Sequence, residues 1–311
     1  MRCLVTGGAG FIGFHLCRAL LLRGIEVTVL DDLSNEYDPG LKEENLWDLE
    51  AAGGVNFVRG SVEDHADCCR ALAGVQGVFH LAALAGVRES FLRPERTAEV
   101  NARGTAALLS AMGQKGVRRC VLASSSTVYG DAAPPFREDA PLGRAQSPYA
   151  QSKQTAEMLS AAHCASFPCA VAAARLFSVY GPRMRPALAL RKFALQILNG
   201  EEIALYGNCA RDFTEVRDAV AGLLACFDHT ASHAGFAAFN IAAGRAVKMT
   251  ELVALLEREL GRKAQVRQED AKKGDAPVTL ADLTKSKALL GYEPQVGFEE
   301  GAASFCRWLV G

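Results

Sequence analysis

A glycine-rich turn near the start of the chain joins a β-branched run to a helical pattern, and this junction constrains the fold most. The run at residues 2–6 is followed directly by Thr6-Gly7-Gly8-Ala9-Gly10-Phe11-Ile12-Gly13. Beyond the turn, apolar side chains recur at helical spacing, at Ile12, Leu16, Ala19 and Leu20. Gly24 then ends the pattern, as a glycine after a helix does. The first unit is therefore predicted to be strand, turn, helix and strand.

The same alternation of short β-branched runs with longer helical patterns continues along the first half of the chain. Strands are expected at residues 2–6, 25–30, 55–58, 77–82 and 117–123. Strands that alternate with helices build right-handed βαβ units on a parallel sheet. The sequence therefore predicts an α/β fold, a Rossmann-type doubly wound parallel sheet.

This regular pattern changes after Arg175. Pro182 and Pro186 interrupt it, a helix is expected over residues 187–199, and further elements follow in irregular order. We expect the Rossmann-type sheet to form one domain over residues 1–175, with later returns near 214–242 and 276–283. The remainder of 176–311 is expected to form mainly a smaller, substrate-binding α/β lobe, and 311 residues suffice for both.

Composition excludes several classes of protein. Half of the residues are hydrophobic, 22% are charged and the net charge is -1, which excludes a disordered or a strongly basic, nucleic-acid-binding chain. The first residues lack the pattern of a signal peptide, and the apolar stretch at 16–22 is too short to span a bilayer. The ten cysteines lack metal-ligand spacing and are expected to be free thiols. We therefore expect a cytoplasmic protein with no metal centre and no membrane or nucleic-acid partner.

The position of the glycines, between a strand and a helix, indicates a dinucleotide site. Gly7 allows the tight turn, Gly10 lets a pyrophosphate approach the backbone, and Gly13 permits close packing of the helix on the strand. The phosphates would meet the free N–H groups at the start of the helix. Asp31 or Asp32, at the end of the second strand, would accept the ribose hydroxyls of NAD and repel a 2′-phosphate, and Asp31 is preferred.

A second group of residues carries the chemistry of a proton transfer. Tyr149 and Lys153 are four residues apart and therefore share one face of a helix. A nearby cation is expected to lower the pKa of the tyrosine, so that it acts as a general base or acid near neutrality. The run Ser124-Ser125-Ser126-Thr127 ends the fifth strand, at the sheet edge where ligands bind in such folds. One of its hydroxyls would donate to the reacting oxygen.

Together these motifs resemble the extended short-chain dehydrogenase/reductase family and, within it, the nucleotide-sugar 4-epimerases, over nearly the whole chain. The likeness also rests on Asp31-Asp32-Leu33, His80-Leu81-Ala82-Ala83, Asn101, Gly104-Thr105, residues 124–130, residues 175–181, Arg211-Asp212-Phe213 and Gly274-Asp275. It implies that Tyr149 removes the C4 hydroxyl proton of a UDP-sugar while NAD accepts the C4 hydride. The 4-keto sugar then turns over and receives the hydride on its other face.

The resemblance also implies the residues of each site. Tyr149, Lys153 and Ser125 would be catalytic, although Ser126 remains an alternative to Ser125. The cofactor would contact Gly7, Gly10, Phe11, Ile12, Gly13, Asp31, Asp32, Ser61, Val62, Leu81, Ala82, Ala83, Asn101, Ser124, Tyr149 and Lys153. The substrate would contact Ser125, Ser126, Thr127, Ser178, Arg185, Phe193, Arg211, Lys272 and Asp275. A homodimer through the helices at 101–112 and 149–161 is implied as well.

Two departures from the family pattern concern ligand contacts. Gly60 is followed by Ser61, where family members often carry an acid that faces the adenine. Lys272 stands where an arginine is usual, so that Arg211 is expected to be the main diphosphate clamp.

The predicted sugar is UDP-glucuronate, converted to UDP-galacturonate. Ser178 resembles the small hydroxyl residue of glucuronate 4-epimerases, and Arg185 could bind the C6 carboxylate. A UDP-glucose or UDP-N-acetylglucosamine 4-epimerase remains an alternative. A UDP-glucuronate decarboxylase is a further alternative, although those enzymes generally have Glu where Thr127 stands. A 4,6-dehydratase is disfavoured, because it needs an Asp-Glu pair at the positions of Ser126 and Thr127. The alternative that is not an enzyme is a module that binds NAD without catalysis.

Overall fold

The computed structural model describes residues 1–270 and 276–311, and its strands form three sheets. The strands are β1 Arg2–Thr6, β2 Glu26–Asp31, β3 Asn56–Arg59, β4 Gly77–His80, β5 Arg119–Ser125, β6 Ala170–Leu176, β7 Ser178–Tyr180, β8 Glu202–Tyr206, β9 Ala210–Glu215, β10 Gly235–Ile241, β11 Ala246–Lys248 and β12 Gln265–Glu269.

Helices connect and cover these strands. They are α1 Phe11–Leu22, α2 Pro39–Ala51, α3 His65–Ala71, α4 Val87–Leu92, α5 Pro94–Ala98, α6 Gly104–Lys115, α7 Pro148–Ser166, α8 Ala189–Asn199, α9 Val216–His229, α10 Met249–Leu260, α11 Thr284–Leu290 and α12 Phe298–Val310. A π-helical turn, Glu99–Arg103, leads into α6, and a 3₁₀ turn, Ser126–Tyr129, follows β5.

The largest sheet has seven parallel strands in the order β3-β2-β1-β4-β5-β6-β10. Its first six strands follow the order of a doubly wound dinucleotide-binding fold, which confirms the predicted fold class. The expected strands lie within a few residues of the observed ones. The largest differences are two residues: β4 ends at His80 rather than at residue 82, and β5 runs from Arg119 to Ser125, two residues later than expected.

The second half of the chain contributes both to this sheet and to a smaller lobe. β10 pairs with β6, from Gly235 opposite Ala170 to Ile241 opposite Leu176. The lobe contains a three-stranded sheet in the order β11-β9-β7 and a parallel pair, β12-β8. Helices α8, α10 and α12 pack together around a shared apolar core.

Alanines allow β6 of the large sheet to be covered closely on both faces. β6 has the sequence Ala-Val-Ala-Ala-Ala-Arg-Leu, and all seven residues are buried. Strands buried on both faces lack the alternation of polar and apolar residues, as in other parallel sheets. The small side chains let α7 and α9 contact this strand.

The glycine turn holds α1 against the end of β1. A Cβ atom added to Gly13 would lie 2.2 Å from the carbonyl oxygen of Gly7, which is closer than real Cβ contacts come. Because the obstructing atom belongs to the backbone, α1 would have to move to admit a side chain.

We expect Gly13→Ala to lower the free energy of unfolding by about 1–3 kcal/mol, as overpacked sites do. Gly113→Ala, within α6, is the matched control. A Cβ at Gly113 would make an ordinary 3.5 Å contact with His163 on α7. Replacing a helical glycine with alanine stabilises by roughly 0.5–1 kcal/mol. Urea unfolding of both variants tests the prediction, which is wrong if their effects have the same sign.

Candidate active site

The glycine turn presents backbone rather than side chains at the start of α1. Gly10 precedes the helix, and among the described residues no side chain caps it and no acid lies in its first turn. Gly7 has φ 70°, and a Cβ there would lie 2.8 Å from the backbone nitrogen of Ala82. Free N–H groups at a helix start favour anions. The cradle, which extends over Phe11 and Ile12, therefore fits the diphosphate of a dinucleotide.

Asp31 faces this turn from the end of β2. Its buried carboxylate accepts hydrogen bonds from the backbone of Ala9 (3.2 Å) and Leu33 (3.0 Å) and from the Lys42 ammonium (3.2 Å). Asp32 is exposed and accepts a bond from the backbone of Ser34 instead. The arrangement favours Asp31 as the ribose ligand. Lys42 was not predicted from the sequence, because it reaches Asp31 from α2 and belongs to no local motif.

The loop after β4 forms the opposite wall of the turn. Leu81, Ala82 and Ala83 are half-buried, and the backbone of Ala82 donates to the Thr6 hydroxyl (3.2 Å). Asn101, in the π-helical turn, fastens the loop further. Its amide nitrogen donates to the Leu84 carbonyl (3.0 Å) and to the Ser152 hydroxyl on α7 (2.9 Å), and its oxygen accepts from the Leu84 backbone (2.8 Å).

Ser61 and Val62 lie beyond β3. The Ser61 backbone donates to Asp67, and its hydroxyl donates to Glu63, so the serine is engaged with its own loop. Val62 is buried, and a Cβ on Gly104 would lie 2.9 Å from its Cγ2. Val62 therefore helps to set the start of α6.

The three expected catalytic residues come together where β5 meets α7. The helix begins after Ser147, whose hydroxyl accepts a hydrogen bond from the Ala150 backbone (3.1 Å). Tyr149 lies in the first turn, and the Lys153 ammonium lies 5.9 Å from the centre of its ring. That ammonium donates to the carbonyl of Ala123 in β5 (2.8 Å), two residues before Ser125.

Burial sets the proton affinities of this group. It raises the pKa of Tyr149, against the lowering effects of a hydrogen bond with Ser125 and of the Arg185 charge. The expectation that Lys153 lowers the pKa of the tyrosine was therefore wrong in direction and in the cation involved. Burial also lowers the pKa of Lys153 to about 8, against the raising effect of Glu157. Both side chains thus favour their neutral forms more than they would in water.

A buried polar network lies behind the catalytic group. Ser124 donates to Glu157 (2.5 Å), and Arg175 binds both oxygens of the same carboxylate (3.0 and 2.8 Å). Arg175 also donates to the Tyr129 hydroxyl (3.1 Å), which in turn donates to Asn240 (2.7 Å). Ser124, expected at the cofactor, has its hydroxyl directed to Glu157. Glu157 was not predicted as part of the site, although it lies one helical turn beyond Lys153 on α7.

The predicted sugar-contacting hydroxyls lie at the same edge of the sheet. Ser126 and Thr127 follow Ser125 in the 3₁₀ turn and are half-buried. The backbone and the hydroxyl of Thr127 both donate to the Ser125 hydroxyl, at 3.2 and 3.0 Å. Ser178 begins β7 and is half-buried. Arg185 donates to the carbonyl of Ala85 (2.9 Å) in the loop after β4.

The remaining predicted substrate residues are more dispersed. Arg211, on β9, donates to the carbonyls of Ala210 (2.9 Å) and Pro277 (3.3 Å). Phe193 is buried in the apolar core on α8. Lys272 and Asp275 lie outside the described residues.

Within residues 1–270 and 276–311, no helix is long and apolar enough to cross a bilayer. In the same residues, no group of three or more His, Cys, Asp or Glu side chains is placed to hold a metal ion.

Comparisons with known proteins agree on the family. The model of the NAD dependent epimerase/dehydratase family matches residues 3–242. A UDP-glucuronate 4-epimerase of Thermodesulfobacterium geofontis is 34% identical over 310 residues, which cover 98% of this chain and 95% of that protein.

Two solved structures align over the full chain and 99% of their own. The UDP-glucuronic acid 4-epimerase from Bacillus cereus, in complex with UDP-glucuronic acid and NAD, has a TM-score of 0.93 at 29% identity. MoeE5, in complex with UDP-glucuronic acid and NAD, has a TM-score of 0.88 at 35% identity.

We expect Asp31→Ala to narrow the preference for NAD over NADP, because it removes the carboxylate that would repel a 2′-phosphate and leaves the Lys42 cation unpaired. Asp32→Ala is the matched control, since that carboxylate is exposed and bonded to its own loop. Calorimetric dissociation constants for both cofactors measure the change. An unaltered ratio in Asp31→Ala would contradict the assignment.

We expect affinity for NAD to fall as the pH rises through about 8, where Lys153 loses its proton. A neutral lysine retains fewer and weaker donors for ribose hydroxyls. Titrations from about pH 7 to about pH 9 measure this, with the Lys153→Ala variant as reference. The same pH dependence in that variant would show that another group is responsible.

Proposed function

The chain belongs to the NAD dependent epimerase/dehydratase family, and from that premise we propose that it interconverts UDP-glucuronate and UDP-galacturonate by inversion at C4. Its general activity, shared with its relatives and structural neighbours, is that of an NAD-dependent UDP-sugar 4-epimerase. The observation that carries the choice of sugar is the position of Arg185, whose charge acts on Tyr149.

The residues around Tyr149 supply the proton chemistry of the proposed reaction. Tyr149 removes the proton of the C4 hydroxyl, and the Ser125 hydroxyl donates to the same oxygen as the 4-keto sugar forms. Ser125 and Arg185 both favour the phenolate, which offsets part of the effect of burial. Lys153 holds the nicotinamide ribose. NAD, when bound, supplies the acceptor and donor of the C4 hydride.

Arg185 has donors to spare for a carboxylate. One of its terminal nitrogens donates to the Ala85 carbonyl, but a guanidinium carries five N–H groups in a planar fork. A two-point contact with the C6 carboxylate is stronger than any contact with the neutral hydroxymethyl group of UDP-glucose. The half-buried hydroxyls of Ser126, Thr127 and Ser178 would complete the polar surroundings of that carboxylate.

Retention of the carboxylate separates this activity from decarboxylation. Oxidation of glucuronate at C4 produces a β-keto acid, which loses CO2 unless its carboxylate is held in an unreactive orientation. Thr127 stands where decarboxylases generally have Glu, and its hydroxyl is bonded to Ser125. The site thus supports an epimerase, with Arg185 as the group that holds the carboxylate.

UDP-glucose is the second candidate substrate, because one observation favours it. The hydrogen bond from Arg185 to the Ala85 carbonyl links two loops. A purely structural role of this kind would serve a neutral sugar as well as an acidic one. Incubation with UDP-glucose, UDP-N-acetylglucosamine and UDP-glucuronate, followed by separation of the C4 epimers, decides between the candidates. Comparable turnover of the acidic and neutral sugars would overturn the proposal.

We expect Arg185→Ala to cost about 2–4 kcal/mol of transition-state stabilisation toward UDP-glucuronate, as for the loss of a desolvated charge pair, and much less toward UDP-glucose. Arg211→Ala is the matched control, because a diphosphate clamp serves both sugars and its loss should lower both kcat/KM values alike. An Arg185→Ala effect that is equal for the two sugars contradicts carboxylate recognition.

We also propose a cytoplasmic homodimer. All ten cysteines are free thiols, which suits a reducing compartment. Leu92 on α4 and Met158 on α7 are 83% and 70% exposed, and the two helices touch. These side chains extend the proposed dimer face along residues 101–112 and 149–161. Sedimentation measurements test the assembly.

A further inference from the structure

The loop that carries Arg185 has an unusual backbone conformation. Arg183 has φ 66°, in the left-handed region that long side chains rarely adopt. Such a conformation persists where the surrounding contacts hold it. The contacts of Arg183 therefore indicate what fixes this loop.

Those contacts lead to the wall of the cofactor site. The Arg183 guanidinium donates to Asn45 (2.6 Å) and to Asp48, both on α2, and lies 4.3 Å from the centre of the Phe14 ring on α1. Asn45 is itself buried, and its amide donates to the carbonyl of Ala9 in the glycine turn (2.8 Å). Two hydrogen bonds thus connect Arg183 to the turn.

The neighbours of Arg183 are held as well. The His15 ring on α1 lies 2.9 Å from the Pro182 carbonyl, and Arg191 on α8 donates to the Met184 carbonyl (2.6 Å). The Met184 side chain is buried. The loop is therefore attached to both halves of the protein, and the next side chain in it is Arg185.

We propose that Arg183 is a positioning residue, which fastens the Pro182-Arg185 loop to α1 and α2 and thereby sets where the Arg185 guanidinium meets the sugar. The inference rests on the proposed function, since it requires Arg185 to contact the substrate. A shift of about 1 Å in a binding group is enough to change rates by up to two orders of magnitude. Loss of Arg183 therefore affects the sugar indirectly, because the Arg185 side chain is unchanged but its guanidinium is no longer held in position.

The test compares three variants with the wild type. Arg183→Ala removes all three contacts. Arg183→Lys keeps the charge but loses the fork that reaches Asn45 and Asp48 together. Arg245→Ala is the matched control, because Arg245 is an exposed arginine paired with Glu299 on α12. Each variant is assayed with UDP-glucuronate and UDP-glucose.

Arg183→Ala should raise the KM for UDP-glucuronate about tenfold, with a smaller change in kcat and little change for UDP-glucose. Arg183→Lys should fall between it and the wild type, and Arg245→Ala should match the wild type. Calorimetry in a Tyr149→Phe background, where catalysis is blocked, should show the same loss of UDP-glucuronate affinity. Thermal unfolding monitors the fold of every variant.

Two results would overturn the inference. One is an unchanged preference between the sugars in Arg183→Ala while Arg185→Ala loses that preference, which leaves the proposed function intact. The other is an equal loss toward both sugars with a lowered unfolding temperature, which would make Arg183 a structural residue only. If Arg185→Ala also keeps the preference for UDP-glucuronate over UDP-glucose, the proposed function itself is wrong.

Discussion

The buried ion pair between Arg175 and Glu157 is the interaction on which the geometry of the site depends. It joins β6, which lies between β5 and the edge strand β10, to α7, which carries Tyr149 and Lys153. Both side chains are about 5% exposed, and removal of one member of such a pair destabilises by about 3–5 kcal/mol, since a charge is left buried alone. Apolar packing could hold α7 near the sheet. The two-point contact also fixes its rotation.

This network extends from β6 to the adjacent edge strand, β10. Asn240 in β10 accepts a hydrogen bond from Tyr129 and donates to the carbonyls of Phe136 (2.8 Å) and Asp282 (3.0 Å). The side chain is fully buried with its oxygen and its nitrogen both bonded, as buried amides require. Loops from both halves of the chain are therefore attached to the same strand edge.

The sequence predicts those parts of the site whose signals are local. The glycine turn lies within one strand–helix junction, and Tyr149 and Lys153 are one helical turn apart. Lys42 could not be predicted, because its contact with Asp31 depends on how α2 folds back over the turn. The pKa of Tyr149 was predicted in the wrong direction, since burial depends on tertiary packing that spacing does not report. The partner of Ser124 was missed for the same reason.

Burial has opposite consequences for the two halves of the proton-transfer pair. It raises the pKa of Tyr149 and lowers the pKa of Lys153 to about 8, so each side chain takes up its charge less readily than it would in water. The charge of Glu157, which Arg175 binds at two points, opposes part of the effect of burial on Lys153. Without the negative charge of Glu157, the pKa of Lys153 would lie lower still. The ion pair thus does more than fix α7: it also holds the carboxylate whose charge limits the fall in the pKa of Lys153, which burial lowers to about 8.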